Sequence, residues 1–404
     1  MSTGVHPGFL SFTRYLVHLL HIATIDLTSL PYSMPPRLHI TGDTPNPDPI
    51  LLQHFIEEGF DATYLPRGGG GKPYRDELAR LNDDLELGES YAIVAFGAAA
   101  TDCLSAHVKP QPHLAALIAY YPSTIQDPKS KFPSQLDVLC HIAGSQGFAP
   151  AFSSYTYQNA KPGFAEHSQA SFNKIAASLA WTRTLGVLRK AFKIETNLEH
   201  VREDHIRLSF AGNKASATVA NMVAERPHVT NVPTMTGGIG QRDLFVFYRD
   251  YFKNPPSLRM KLVSRTIGED RVVDELVLSL KHTEEVPWLL PGVPATDKMV
   301  HVAMVSVVCI RGGRVYHEHV YWDQASVLVQ VGLLDPKLVP DHMKRRGLKQ
   351  LPVYGAETAA KVLNEESHPN NELISSWKDR PKGDPGALPN RPKQTANGAR
   401  SEEK

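Results

Sequence analysis

The chain has 404 residues, 21% charged and 42% hydrophobic, with 43 basic side chains against 42 acidic ones and a formal net charge of +1. That length accommodates two domains with separate cores, and the near-neutral balance argues against a nucleic-acid binder or a membrane-surface protein, both of which rely on a basic field. Three scattered cysteines, Cys103, Cys140 and Cys309, are too few for a disulfide framework or a cysteine-based zinc site, which points to a globular protein of a reducing compartment, expected in the cytoplasm.

Residues 1–34 carry an apolar stretch, Phe9–Ile25, interrupted by Thr13, Arg14, His18 and His21. A membrane span needs about 20 apolar residues without such breaks. Neither a basic start nor a small-residue cleavage site marks a leader, so this segment is expected to be an extension outside the functional core. From Pro36, short apolar strands alternate with helices. Strands are expected at 36–40, 62–65, 91–96, 114–121 and 136–143, and helices at 48–58, 76–84 and 168–190. Continuous apolar strands such as Tyr91–Phe96 imply a parallel sheet covered on both faces, a doubly wound α/β domain.

The second half changes character. Residues 197–223 read as helical, and Gln241–Phe252 as an amphipathic helix with Leu244, Phe245, Tyr248 and Phe252 at helical spacing. Long strands are expected at 258–266, 271–282, 299–310 and 314–322, the last two joined by a turn at Arg311-Gly312-Gly313. Helices followed by an antiparallel meander are the α+β order. Beyond residue 340 the chain is polar, and residues 365–404 are expected to be a disordered tail.

Two glycine-rich runs suggest nucleotide loops and are read otherwise. Gly68-Gly-Gly-Gly-Lys72 lacks the Ser or Thr of a phosphate loop and is not expected to join a strand to a helix. Thr236-Gly-Gly-Ile-Gly240 is expected to be a turn leading into the helix at 241. No metal and no cofactor is expected.

Residues 36–190 resemble the dienelactone hydrolases of the α/β-hydrolase superfamily. The resemblance rests on the strand and turn at 91–100, on Ser154-Tyr155-Thr156-Tyr157, on Ala160-Lys161-Pro162-Gly163-Phe164 and on Leu179-Ala180-Trp181. It implies a triad whose cysteine falls on Gly97, whose aspartate falls near Gly147 and whose histidine falls on Pro162. His167 lies close to the last, with no nucleophile to activate. The expectation for residues 35–190 is a hydrolase-like scaffold without the triad's chemistry.

Residues from about 196 to 335 resemble the SnoaL-like polyketide cyclases of the nuclear transport factor 2-like superfamily. The motifs are Val232-Pro-Thr-Met-Thr-Gly-Gly238, Trp288-Leu-Leu-Pro-Gly-Val-Pro294 and His317-Glu-His-Val-Tyr-Trp-Asp-Gln-Ala-Ser326. Bacterial proteins joining both domain types look similar over nearly the whole chain. The resemblance implies an α+β cone over residues 196–340 and a homodimer formed through the open sheets of two cones.

Alternation along a strand places His317, His319, Tyr321 and Asp323 on one face, unless a bulge shifts the register. A carboxylate inside an apolar cone has its charged form disfavoured, which suits proton transfer next to a carbonyl. The resemblance points to Asp323 as the acid–base residue, with His319 orienting it or acting as a second acid–base group. The alternative for Asp323 is to cap the helix beginning at Gln324. His282 is a third catalytic candidate. Glu275 and Trp288 are candidates for lining the same pocket, the alternatives being an outer-face position for Glu275 and an apolar plug for Trp288. Tyr248, Tyr321 and Asn231 complete the expected substrate-binding set, Asn231 as a donor to a carbonyl oxygen.

The expected function is a cofactor-independent cyclase, isomerase or dehydratase acting on an apolar, polyketide-like carbonyl compound in secondary metabolism. Two alternatives stay open. One is a hydrolase of the dienelactone type, contradicted by the missing triad; the other is a non-catalytic small-molecule binder or scaffold.

Overall fold

The computed structural model describes residues 35–211 and 214–377, so the expectation for residues 1–34 falls outside the described residues, as does that for the 365–404 tail beyond residue 377; its first part, 365–377, is described and ends in a 3-10 turn, Ser375–Trp377. The chain divides into two compact units between Thr196 and Asn197.

The first unit is built on a parallel sheet of six strands: β1 (Arg37–Gly42), β2 (Asp61–Pro66), β3 (Tyr91–Phe96), β4 (Leu114–Tyr120), β5 (Asp137–Ala143) and β6 (Ser154–Tyr157). Their order is β2-β1-β3-β4-β5-β6. Every residue of β3 is buried, as its uninterrupted apolar sequence requires of a strand covered on both faces. Helices α1 (Pro49–Glu57) and α4 (Lys174–Phe192) pack Phe55, Trp181 and Leu185 against Leu38, Val94 and Ile118 on one face. Helices α2 (Gly71–Ala79) and α3 (Gly97–Ala106) pack Tyr74, Leu78 and Cys103 against Tyr91, Ile93 and Leu117 on the other. The doubly wound arrangement follows from that alternation.

Local chemistry sets the helix starts. Asp48 accepts hydrogen bonds from the N–H groups of Ile50 and Leu51 ahead of α1, with Pro49 in the first helical turn. Helix α4 begins later than expected because Asn173 caps it by accepting from Ile175 and Ala176. Contrary to expectation, the glycine run does lead from strand β2 into helix α2, which begins at Gly71 rather than near Asp76. Lys72 lies within that helix, paired with Asp76.

The second unit has a sheet of order β8-β7-β12-β11-β10-β9, antiparallel except where β7 meets β12. Its strands are β7 (His228–Asn231), β8 (Thr236–Ile239), β9 (Arg259–Ile267), β10 (Arg271–Lys281), β11 (Met299–Arg311) and β12 (Arg314–Trp322). Thr236–Ile239, expected as a turn, is a strand, with Gly240 capping the helix that follows. The β11–β12 hairpin turns on Gly312 and Gly313, whose φ values of 53° and 69° suit glycine. Beyond that turn Cys309 pairs with His317 but Ile310 pairs with Val315, leaving Tyr316 as an extra residue in a bulge.

The helices of this unit are α5 (Leu198–Ile206), α6 (Ala215–Ala220), α7 (Gln241–Val246), α8 (Gln324–Val331), α9 (Asp341–Lys344) and α10 (Glu357–Leu363). The stretch expected as helical at 197–223 passes from α5 into a π-helical segment, Arg207–Ala211, ahead of α6, and the helix expected at 241–252 ends in one, Phe247–Tyr251. One core joins Leu244, Tyr248, Leu276, Leu278, Trp288, Val320 and Trp322. All three cysteines are buried thiols. Among the described residues no helix is long and apolar enough to cross a membrane.

Candidate functional site

The bulge at Tyr316 decides which side chains of β12 enter the second unit. Beyond it Glu318, Val320 and Trp322 are buried, while His317 and His319 are half-buried and Tyr321 is exposed. The carboxylate that enters the interior is therefore Glu318, which lies between the two histidines singled out from the sequence.

Glu318 is held in a network of buried charges. Its Oε1 accepts from Arg202 Nη1 at 3.0 Å and from Ser306 Oγ at 2.7 Å. Arg202, on α5 and 2% exposed, also donates to Asp274 Oδ2 at 2.8 Å and to Ser306 Oγ at 3.0 Å. Arg265 of β9 closes the far side, donating to Asp274 Oδ1 at 2.6 Å and to Glu199 and Glu203 at 3.0 and 3.3 Å. His205, one turn beyond Arg202, brings Nε2 to 3.5 Å from Glu318 Oε2 and 3.4 Å from the Tyr248 hydroxyl.

The electrostatics follow from these contacts. Burial alone would raise the Glu318 carboxyl. The Arg202 charge, with hydrogen bonds from His205 and Ser306, outweighs burial and holds it well below the usual carboxylate range. Glu318 is thus ionised at neutral pH. Burial first, and the negative charge of Glu318 second, push the Tyr248 phenol well above its ordinary value, so it remains an O–H donor.

Arg202, Asn231, Tyr248, Ser306 and Glu318 line one cavity together with Phe252 and Trp288; its volume is about 20 Å³. That is room for roughly one water molecule. Aromatic side chains fill the rest: Phe252 stacks on Trp288 at 5.3 Å between ring centres, and Trp322 meets Trp288 edge-on at 5.9 Å.

The residues expected from the sequence divide into two groups. Asn231, Tyr248 and Trp288 line the cavity. Asn231 donates to Thr236 Oγ1 at 3.1 Å, and Trp288 Nε1 donates to the Lys253 carbonyl and to Asn254 Oδ1, as befits a buried plug. The others lie elsewhere. Asp323 is exposed and caps α8, accepting from the Ala325 N–H at 3.0 Å and from the Ser326 hydroxyl at 2.5 Å. His319 belongs to the outer face of the sheet, its ring beside those of His317 and His228 at 4.9 and 5.5 Å. Tyr321 is 44% exposed on that face. Glu275 accepts from Ser264 Oγ across β9 and β10 at 2.9 Å. His282 is buried outside the cavity, with Nδ1 3.0 Å from Thr296 Oγ1, and burial lowers its pKa.

The sequence reading missed Arg202, His205, Asp274 and Glu318. One of them had a local signal. Val272, Asp274, Leu276, Leu278 and Leu280 alternate in frame along β10 and are all buried, so a carboxylate stands in a row of core positions.

The first unit holds a larger cleft, of about 610 Å³, at the carboxyl ends of β1, β3, β4 and β5. Gly97 and Pro162, two positions the resemblance assigned to a triad, both line it. Gly97 has φ of 60° and opens α3 directly after β3. The Asp43 carboxylate accepts from the N–H groups of Ala98 and Ala99 at 2.8 and 3.1 Å. A Cβ on Gly97 would fall 2.3 Å from Asp43 Oδ2, so the carboxylate occupies the space a side chain there would need.

No protein-family model matches the chain, and no curated protein matches it. Solved structures do. A candidate SnoaL-like polyketide cyclase from Jannaschia sp. CCS1 aligns at 17% identity and a TM-score of 0.29, over 35% of this chain and 99% of its own. A hypothetical protein with a ketosteroid isomerase-like fold from Catenulispora acidiphila aligns at 16% identity and 0.27, over 33% and 93%. AclR of Streptomyces galilaeus, a candidate hydroxylase, aligns at 17% identity and 0.28, over 34% and 97%. Each of these alignments spans about a third of this chain.

Proposed function

We propose that the second unit is a cofactor-independent proton-transfer enzyme of the cyclase, isomerase or dehydratase type, acting on an apolar carbonyl compound of secondary metabolism. One observation carries the reading. An ionised carboxylate, a protonated phenol and an amide, from Glu318, Tyr248 and Asn231, line a single, otherwise largely apolar cavity. In this scheme Glu318 takes a proton from the carbon next to the carbonyl, and Tyr248 and Asn231 donate to the oxygen as it gains charge. His205, within reach of both Glu318 and Tyr248, gives the proton a route between them. Substrate enters only when the Phe252–Trp288 stack moves, because the closed cavity admits about one water.

The small cavity supports a second reading, in which the charge network is architectural and the unit is a binder or scaffold. Metabolite profiling of a gene deletion separates the two. The catalytic reading expects an unrearranged carbonyl compound to accumulate and Glu318→Gln to leave it unrestored, although glutamine keeps an acceptor for Arg202 and Ser306. Full complementation by Glu318→Gln refutes it.

The first unit is, in this proposal, a hydrolase-like scaffold that no longer hydrolyses. Glycine at the strand–helix turn and Pro162 in the same cleft support that part. A homodimer through the second sheet is the remaining proposal. Its support is that Val305 and Tyr321, register partners across β11 and β12, are both exposed.

A further inference from the structure

The cleft of the parallel-sheet unit takes no part in the proton-transfer scheme, yet it has the dimensions of a ligand site. At about 610 Å³ it is the size of a small-molecule pocket, which typically spans roughly 300–1,000 Å³. It also lies where the strand order reverses. Chain connections run from β1 outward to β2 on one side and on to β3 on the other. Asp43 follows β1 and Gly97 follows β3, so both stand at this switch point, where open α/β sheets receive ligands.

Its lining has an unbalanced charge. Asp43 and Glu166 are the carboxyl groups, and no lysine, arginine or histidine is among the described residues that line it. Asp43 is fixed by the two N–H groups at the start of α3. Glu166 is fixed by Tyr121, whose hydroxyl donates to Oε2 at 2.5 Å. The Tyr121 ring packs between Phe96 and Phe164, at 5.9 and 5.3 Å between centres, so the donor is itself held. Phe96, Phe148 and Pro162 supply apolar wall.

We propose that this cleft binds a small organic cation, a protonated amine with an apolar body, whose ammonium group lies against Glu166. A cleft lined by one sign of charge concentrates ions of the other sign. An anionic ligand meets two carboxyl groups and, among the described residues lining the cleft, no compensating cation, and a neutral one gains no charge-assisted hydrogen bond. The state of Glu166 agrees with a missing counter-ion. Burial first, then the charges of Asp48 and Asp43, raise its carboxyl above the ordinary value despite the Tyr121 hydrogen bond.

The test is calorimetric titration of the full chain with benzylammonium, benzyl alcohol and benzoate, which share a ring and differ in charge. Benzylammonium is expected to bind saturably with one site per chain and at least about tenfold more tightly than either analogue. Glu166→Gln retains an acceptor for Tyr121 and is expected to weaken benzylammonium by about tenfold or more. Ser145→Trp, at an exposed position lining the cleft, is expected to abolish binding by filling it. Equal binding of benzoate, absence of benzylammonium binding, or binding unaffected by Ser145→Trp each overturns the proposal. None of these outcomes bears on the cone.

Discussion

Replacing Arg202 with methionine removes a charge and its donors while keeping a side chain of similar length. The guanidinium is 2% exposed and serves two carboxylates, Asp274 at 2.8 Å and Glu318 at 3.0 Å. Asp274 would keep Arg265 at 2.6 Å. Glu318 would keep only the Ser306 hydroxyl at 2.7 Å and His205 at 3.5 Å. The variant therefore strands one buried carboxylate rather than two. Stranding one partner of a buried pair costs about 3–5 kcal/mol, and the survival of the Arg265 pair places the loss near 3 kcal/mol at neutral pH.

The dependence on pH is the sharper test. In the native chain the Glu318 carboxyl lies below its unfolded value, which is about 4.3. Its contribution is complete above that value and is lost as the pH falls through the folded one. In the variant the Arg202 charge no longer opposes burial, which only His205 and Ser306 then counter, and the folded value is expected to rise above the unfolded one. The folded state then holds the extra proton, so acidification from neutrality toward about pH 4.3 restores stability instead of removing it. The two stability profiles should converge on acidification. Urea denaturation followed by tryptophan fluorescence, in a Trp181→Phe and Trp377→Phe background that leaves Trp288 and Trp322 as reporters in the core of this unit, measures both quantities. A loss below about 1 kcal/mol, or profiles that stay parallel, would refute the buried network as described.

Two further expectations follow from residues whose roles the structure reassigns. Asp323→Ala should cost about 1 kcal/mol through loss of the α8 cap, Asp323→Asn much less, and neither should change the metabolite profile; a profile like that of Glu318→Gln would return Asp323 to the chemistry. Gly97→Cys should place its Cβ against Asp43 and yield a thiol that reacts slowly with iodoacetamide. Adding Asp43→Ala removes the clash and frees the Ala98 and Ala99 N–H groups to favour the thiolate, so labelling should accelerate. Equal labelling rates would show that Asp43 does not control the turn.

Much of the fold was legible because its signals are local. The unbroken apolar run Tyr91–Phe96 could only be a strand buried on both faces, and Gly312-Gly313 between two long β runs marked a hairpin. The site was less legible because its determinants are not local. Tyr316 is an ordinary residue for a strand, yet as one extra residue it exchanges the faces of all that follow, replacing His319 and Tyr321 with Glu318 and Val320. Arg202 sits in a short, polar helix that reads as surface. Its partners Asp274 and Glu318 are 72 and 116 positions away, so nothing near it in sequence shows that its charge is satisfied inside. The absence of a nucleophile at Gly97 was plain, but its occupation by a carboxylate 55 positions before Ala98 was not.

The two units place carboxylates in opposite electrostatic situations. Glu318 is fully partnered, its acidity is strengthened, and the space before it holds about one water. A carboxylate so well satisfied is stable but weakly basic, so the proposed proton transfer would require both the aromatic stack to move and the hold of Arg202 to relax. Among the described residues lining the cleft Glu166 has a phenol but no cation, its acidity is weakened, and it faces an open cleft of about 610 Å³. Pairing an incoming cation there relieves an existing imbalance and needs no rearrangement of packed side chains. On these two proposals a ligand meeting the closed protein finds its readiest site in the parallel-sheet cleft, and proton transfer in the second unit depends on whatever opens its cavity.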